Sequence, residues 1–366
     1  MAREELAAWL RLVLTPGVGN DSARKLLAAF GLPTELFDQA AAGLAAVVGE
    51  RLARALQQPP ESLDAEVDKA TRWLEAENHH LLTLGDSAYP PALLQMSDPP
   101  LMLYVLGELG ALDHPNKIAI VGSRNPTPQG QINARQFAHA LGEAGLCVVS
   151  GLALGVDGEA HEGALAAHTA TIAVVGTGLD RVYPKRHHDL AHRIAAQGGA
   201  IVSEYPLGTP PLPAHFPQRN RIIAGLCQGT LVVEAAVASG SLITARLASE
   251  MGREVFAIPG SIHAPQARGC HALIRQGAKL VESAQDVLED LRLDVAAPAA
   301  ASRDTQRVDD PTGLLGAMGF DPVGLDALQA RTGLDTATLQ ARLLELELQG
   351  LVSRLPGGLL QQTAQG

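Results

Sequence analysis

Five short stretches carry residue types suited to holding phosphate. Gly122-Ser123-Arg124 follows the apolar run Ile118-Ala119-Ile120-Val121. Ser150-Gly151-Leu152-Ala153-Leu154-Gly155 and Gly176-Thr177-Gly178 close two more such runs, and the second leads on to Lys185 and Arg186. Ser203-Glu204-Tyr205-Pro206 closes a fourth. The fifth lies between Arg219-Asn220-Arg221 and Ser239-Gly240-Ser241, and its apolar run ends at Glu234. Small residues at such points let a ligand approach the backbone. Ser241 and Thr244 flank a predicted helix start, where free N–H groups face anions. Arg124, Lys185, Arg186, Arg219 and Arg221 supply positive charge, and arginine's planar fork matches phosphate oxygens in pairs. Together these residues would form a pocket for a phosphate-bearing ligand.

Other chemistries fit less well. A dinucleotide site needs GxGxxG after its first strand, but here Pro126 and Pro128 stand where small residues should open the helix. The second run ends in Ser150-Gly151, without the acid that would hold a ribose. The sequence contains no P-loop, GxSxG or HExxH. Cys147, Cys227 and Cys270 form no CxxC pair, so neither a zinc site nor a disulfide framework is expected, and Cys147 and Cys227 read as buried thiols. His187, His188 and His192 lack carboxylates at ligand spacing and read as a solvated helix face. We therefore expect no metal and no cofactor.

The elements that would position the pocket are legible as a pattern. Strand-like apolar runs at 118–121, 146–150, 171–175, 200–204, 230–234 and 254–258 alternate with helical stretches at 127–145, 154–168, 185–197 and 240–251. This predicts an α/β fold with a doubly wound, mostly parallel sheet covered on both faces. Ligands in such folds gather at the carboxyl ends of the strands. Residues 1–78 read as a small helical domain. Its Pro16-Gly17-Val18-Gly19 turn either contacts a nucleic-acid phosphate or simply joins packed helices. The sheet domain is placed at 79–293, with 80–115 as an extended lead-in strand and loops. An Ala/Pro-rich linker follows at 294–311, then a winged-helix-like domain at 312–366. The third helix of that last domain, at 336–349, carries Glu345 and Glu347 against a single Arg342, which favours protein contact over DNA.

Charge agrees with this placement. The chain carries a formal −11, yet residues 115–225 hold nine basic and seven acidic side chains and seven of the twelve histidines. Aromatics make up 3%, which argues against a surface that grips bases mainly through many stacked rings. The N-terminal stretch MAREELAAWLRLVL is too short for a membrane span and lacks a small-residue cleavage site, so a soluble cytoplasmic protein without membrane contact is expected.

The stretches IAIVGSRNPTPQG, VVSGLALGVDGEAHEGAL, TIAVVGTGLDRVYP, HFPQRNRIIAGLCQGTLVVEAAVASGSLITARLASEMGREVFAIPGS and GCHALIRQGAKLV, in this order, resemble the DprA/Smf family, the DNA-processing proteins of natural transformation. The resemblance runs almost continuously from 115 to 285. It implies an extended Rossmann-like sheet domain, a helix-hairpin-helix or SAM-like N-terminal domain, and a winged-helix C-terminal domain. It further implies a homodimer without cofactor or enzymatic activity. Such a protein binds and protects single-stranded DNA with little sequence preference and helps load the RecA recombinase on it. Matched by position, Arg124, Lys185 and the Arg219-Asn220-Arg221 triplet would contact DNA, while His271, Ile274 and Leu280 would serve self-association beside the recombinase-contacting surface. The family usually has an asparagine shortly after its Tyr-Pro-Lys element, where this chain reads Arg186-His187-His188.

Two rivals follow from the same residues. Gly229, Thr230 and Glu234 keep part of the PGGxGTxxE spacing of nucleoside-monophosphate phosphoribohydrolases, which would make Glu234 a working acid. In a binding protein Glu234 would instead hydrogen-bond a helix start or orient an arginine. The second rival is a scaffold that meets recombinase without touching DNA, and the Arg124/Lys185 cluster speaks against it.

Overall fold

The computed structural model describes residues 1–293 and 313–363, so the expected linker at 294–311 lies outside the described residues. Nine strands form the main sheet: β1 (His79–Thr83), β2 (Met102–Gly107), β3 (Lys117–Val121), β4 (Cys147–Ser150), β5 (Thr171–Val174), β6 (Ala200–Ser203), β7 (Gly229–Val232), β8 (Glu254–Ala257) and β9 (Lys279–Leu280). Their order is β1-β2-β6-β5-β4-β3-β7-β8-β9. From β6 to β9 every pairing is parallel, whereas β2 pairs antiparallel with both β1 and β6. All six expected strands are present, with ends shifted by no more than two residues.

Side chains alternate across β3, so each face has its own core. Ile118 and Ile120 pack under helices Pro128–Glu143, Val156–Ala166 and Ala284–Asp290 through Ala134, Ala138, Ala160 and Val287. Ala119 and Val121 face helices His215–Leu226, Ser241–Glu250 and Arg268–Arg275 through Ile222, Ala245 and Leu273. The chain runs from β3 to β4 on one side and later returns to β7 on the other. The helices after β3 and β7 therefore cover opposite faces, and a crevice opens at the carboxyl ends of these two strands.

Residues 80–115 do more than lead in. β1 and β2 form an antiparallel pair that extends the sheet beyond β6. The intervening segment is tied down by the buried Tyr89 hydroxyl, which donates to the Pro100 carbonyl at 2.7 Å.

The six N-terminal helices (Arg3–Leu14, Asn20–Phe30, Pro33–Phe37, Ala41–Val48, Glu50–Gln57 and Leu63–Leu74) have no core separate from the sheet. Trp9, Leu10, Leu26 and Val67 share one apolar cluster with Met102, Tyr104, Ile194 and Ile201. Next to the Pro16–Gly19 turn, the Arg24 guanidinium donates to the Ser97 carbonyl at 2.6 Å, and the Asn20 amide lies 3.4 Å from Asp98. Helix Asn20–Phe30 is thus tied to the segment before β2, while Pro16, Gly17 and Gly19 of the turn stay exposed.

The C-terminal unit has helices Leu314–Met318, Leu325–Thr332 and Thr336–Leu348 and a small sheet of β10 (Val323–Gly324), β11 (Val352–Leu355) and β12 (Leu359–Gln362), in the order β10-β12-β11. This is the expected winged helix, with a core that includes Leu328, Leu339, Leu343 and Val352. Asp335 caps the third helix by accepting from the Ala337 and Thr338 amides, both at 3.0 Å. At the surface, Arg342 pairs with Glu345 and Arg354 with Glu347. Among the described residues no helix is long and apolar enough to cross a membrane.

Candidate nucleic-acid interface

A cleft of about 650 Å³ opens at the predicted place, and its lining includes Gly122, Ser123, Arg124, Arg219, Asn220, Ser241 and Thr244. Gly122 is required by close approach: a Cβ there would lie 2.7 Å from Val156 Cγ2 and 2.9 Å from the Glu234 carbonyl. The same closeness lets the Ser123 N–H donate to that carbonyl at 2.7 Å, while the Ser123 carbonyl accepts from the Val156 N–H at 3.1 Å. The backbone beneath Arg124 is thus pinned from two sides. Arg124 itself is exposed and makes no hydrogen bond or ion pair among the described residues. Its guanidinium carbon lies 5.6 Å from the centre of the Phe216 ring.

Arg219 has a different role. It is 4% exposed, and its guanidinium donates to the Val174 carbonyl and underlies Gly151, where any Cβ would collide with it. Its Nε has no partner. Burial lowers its pKa to about 10, the charge of Asp157 opposes that shift, and Arg124 adds to it. Arg219 therefore remains a cation at neutral pH in the cleft wall. The buried Asp157 carboxylate accepts from the Gly151 and Ala153 amides at 3.1 and 3.3 Å. Burial pushes the Asp157 pKa up, and the Arg219 charge counters this.

Next to Arg219 on the same helix, the Asn220 amide donates to the Gly240 carbonyl at 3.3 Å, just before helix Ser241–Glu250. The Ser239 hydroxyl accepts from the first N–H of that helix, Ser241 N–H, at 3.4 Å and lies 2.7 Å from the Ser241 hydroxyl.

Not all of the expected residues gather here. Arg221 lies outside the lining and is paired with Glu204 and, at 3.2 Å, with Asp98. Helix His215–Leu226 explains this, because residues two apart on a helix point about 200° from each other. Gly151 lies on Arg219 and is not part of the lining. Lys185 stands exposed on the 3₁₀ turn Lys185–His187, beside the cleft and not in its wall. His271, Ile274 and Leu280 lie far along the sheet, on helix Arg268–Arg275 and edge strand β9. The His271 Nε2 lies 3.0 Å from the Gly260 carbonyl, Ile274 is half-buried against the core, and Leu280 is 44% exposed.

The histidine cluster needs a correction. His188 and His192 are exposed and face each other with Nε2 atoms 3.2 Å apart, as a solvated face allows. His187 is half-buried, and its Nδ1 is 3.0 Å from the Leu152 carbonyl. No group of three metal-ligating side chains is found among the described residues. Cys147 and Cys227 are buried free thiols, as expected, and burial pushes the Cys147 pKa up to about 12.

Sequence reasoning missed four residues. Tyr183 and Phe216 both line the cleft with ring centres 5.7 Å apart, and Tyr183 is 47% exposed. An average composition hides such a concentration of rings. Asp157 gave no signal because the Arg219 charge that it feels comes from a residue 62 positions away in sequence. His161 is fully buried: its Nδ1 lies 2.8 Å from Thr171 Oγ1, whose hydroxyl donates to the Val148 carbonyl, and its Nε2 has no partner.

Burial lowers the His161 pKa to about 3, and the nearby charges of His187 and Arg219 add to this. Between pH 6.5 and 3 the unfolded chain then binds a proton at this site that the native protein refuses. Stability from this residue should be complete above pH 6.5 and fall as the pH drops toward 3, by about 1.4 kcal/mol per unit. Urea midpoints at pH 7.5 and 5.5 should show the fall in wild type and a smaller one in His161→Asn.

Glu234 is turned toward the start of helix Pro128–Glu143. It accepts from the Thr127 amide at 2.9 Å and the Thr127 hydroxyl at 2.6 Å. It is not among the residues that line the cleft.

Comparison with known proteins places these features in a family. Residues 80–292 match the family model described as DNA recombination-mediator protein A, and residues 296–358 match the DprA winged helix domain. Protein Smf of Escherichia coli is 45% identical over 299 residues, covering 80% of each chain. The X-ray structure of DNA processing protein A from Streptococcus pneumoniae superposes with a TM-score of 0.67 at 38% identity, covering 79% of this chain and 98% of that one. DNA processing protein A from Helicobacter pylori, which has a unique single-stranded DNA binding mode, gives a TM-score of 0.53 at 34% identity, covering 59% and 97%.

Proposed function

Because the chain belongs to the DNA recombination-mediator protein A family, the family of the Smf and DprA proteins, we propose that it binds single-stranded DNA in the cleft at the carboxyl ends of its parallel strands. The observation that carries this reading is Arg124, an exposed and unpaired guanidinium beside two aromatic rings and a buried second arginine. A single strand offers phosphates and base faces together. Arg124 takes one phosphate and Lys185 a neighbouring one. Arg219 supplies fixed positive charge from the wall, and the start of helix Ser241–Glu250 adds a partial one. Bases rest on Tyr183 and Phe216, which any base can do, so sequence preference is slight. Titration of a fluorescent oligo-dT tests this: the wild-type protein should bind with micromolar or better affinity that weakens with salt, and failure to bind at low salt would remove the reading.

In the cell this activity would protect single strands during natural transformation and recombination and help load RecA on them, in the cytoplasm and without a cofactor. A homodimer would double the contact and raise avidity. The exposed Leu280 on the edge strand β9 is the residue we assign to self-association, with Ile274 and His271 beside it. Leu280→Glu is the cleaner variant, because Ile274 also packs on the core. It should elute as a monomer in sizing chromatography and bind oligo-dT more weakly. A dimer that survives would place the interface elsewhere.

We assign no catalysis to Glu234, since both its oxygens are occupied at a helix start. Purified protein should release no base from AMP. Glu234→Gln should leave oligo-dT affinity unchanged and cost about 1 kcal/mol of stability.

A further inference from the structure

We propose that His187 is a positioning residue that couples the Lys185 turn to the backbone carrying Arg124, so that the two phosphate contacts act as one unit. The inference rests on the DNA-binding reading above.

The connection can be followed atom by atom. Lys185 and His187 share one 3₁₀ turn, in which the His187 N–H donates to the Pro184 carbonyl at 2.9 Å. The His187 ring leaves this turn and lies against the next loop. Its Nδ1 is 3.0 Å from the Leu152 carbonyl, so Nδ1–H donates there. Its edge rests on Gly158, where a Cβ would come within 2.8 Å of the ring. Leu152 is buried and adopts a left-handed φ of +56°, which a branched side chain rarely holds without support. The loop it belongs to is held at its base by the Asp157 carboxylate through the Gly151 and Ala153 amides. One residue before Asp157, the Val156 N–H donates to the Ser123 carbonyl at 3.1 Å, directly before Arg124. The path from Lys185 to Arg124 is therefore His187, Leu152, the 153–156 loop and Ser123.

Among the described residues, His187 is the side chain that ties the Lys185 turn to this loop. Lys185 itself has no hydrogen bond or ion pair among the described residues, so its placement depends on the turn. A long, mobile lysine on an unanchored turn would lose the fixed spacing to Arg124 that two successive phosphates require.

The test uses the full chain and labelled oligo-dT at two salt concentrations, with wild type, Lys185→Ala, His187→Ala, His187→Asn and the Lys185→Ala/His187→Ala double variant. Hydrogen exchange of the 151–156 amides is followed without DNA. We expect His187→Ala to lose about tenfold in affinity, as Lys185→Ala does. Its salt slope should fall by about 0.7, the share of one phosphate on a single strand. The double variant should be no worse than Lys185→Ala, because a residue that acts only through Lys185 has nothing further to lose. His187→Asn keeps a donor in the place of Nδ1 and should restore most of the binding, and it serves in place of the alanine variant if that one does not fold. The 151–156 amides should exchange faster in His187→Ala and normally in His187→Asn. Losses that multiply in the double variant, or unchanged exchange in His187→Ala, would overturn the coupling. Faster exchange in a protein whose wild type binds no oligo-dT would leave the His187 link standing and remove the DNA reading instead.

Discussion

Asp157→Ala should lose about 2–4 kcal/mol of stability, because it leaves two buried amides without their acceptor and removes the negative charge that favours the Arg219 cation. Asp157 also accepts the Gly151 and Ala153 amides, so the loop above Arg219 would lose its two base hydrogen bonds at the same time. Asp157→Asn keeps an acceptor for those amides and should cost clearly less. Equilibrium urea unfolding separates the two variants. If Asp157→Ala unfolds at the wild-type midpoint, Arg219 does not depend on Asp157, and the cleft wall needs another explanation. The sequence gives no hint of this dependence, since neither residue belongs to a recognisable pair motif.

The largest effect on binding belongs to Arg124. Arg124→Ala should weaken oligo-dT affinity about 10- to 100-fold, the range of a charge-assisted contact to phosphate. Its thermal midpoint should stay put, because the side chain makes no hydrogen bond or ion pair among the described residues. Arg221 makes the opposite forecast. Tied to Glu204 and Asp98, Arg221→Ala should lower stability and leave the salt slope of binding intact. Anisotropy titrations at 50 and 200 mM salt, with melting curves on the same samples, distinguish a contact from a support. Equal oligo-dT affinity in wild type and Arg124→Ala would show that the guanidinium does not touch the strand.

How much could be read beforehand differs from element to element. The parallel strands announce themselves as short apolar runs because both faces of the sheet are covered, and Ile118–Val121 is the plainest case. β2 was hidden among prolines, although Met102-Leu103-Tyr104-Val105-Leu106 is as apolar as any inner strand. The strand-end rule placed Gly122, Ser123, Arg124, Ser241 and Thr244 around one cleft, since topology alone brings them together. It could not separate Arg219 from Arg221, because side-chain direction depends on which face of helix His215–Leu226 is buried. Nor could it place His187, whose ring leaves its own helical segment to meet a loop 35 residues earlier. The absence of a glycine fingerprint after β3 has a physical account of its own. Gly122 serves the close packing on Val156, and Glu234 holds the helix start that a glycine fingerprint would otherwise open to a pyrophosphate.

The most direct measurement is photocrosslinking with an oligo-dT that carries 4-thiothymidine, followed by mass spectrometry of the modified peptides. The account predicts adducts on Tyr183 or Phe216, diminished in Arg124→Ala. Adducts confined to residues 3–74 or 313–363 would contradict it and move the DNA site away from the sheet.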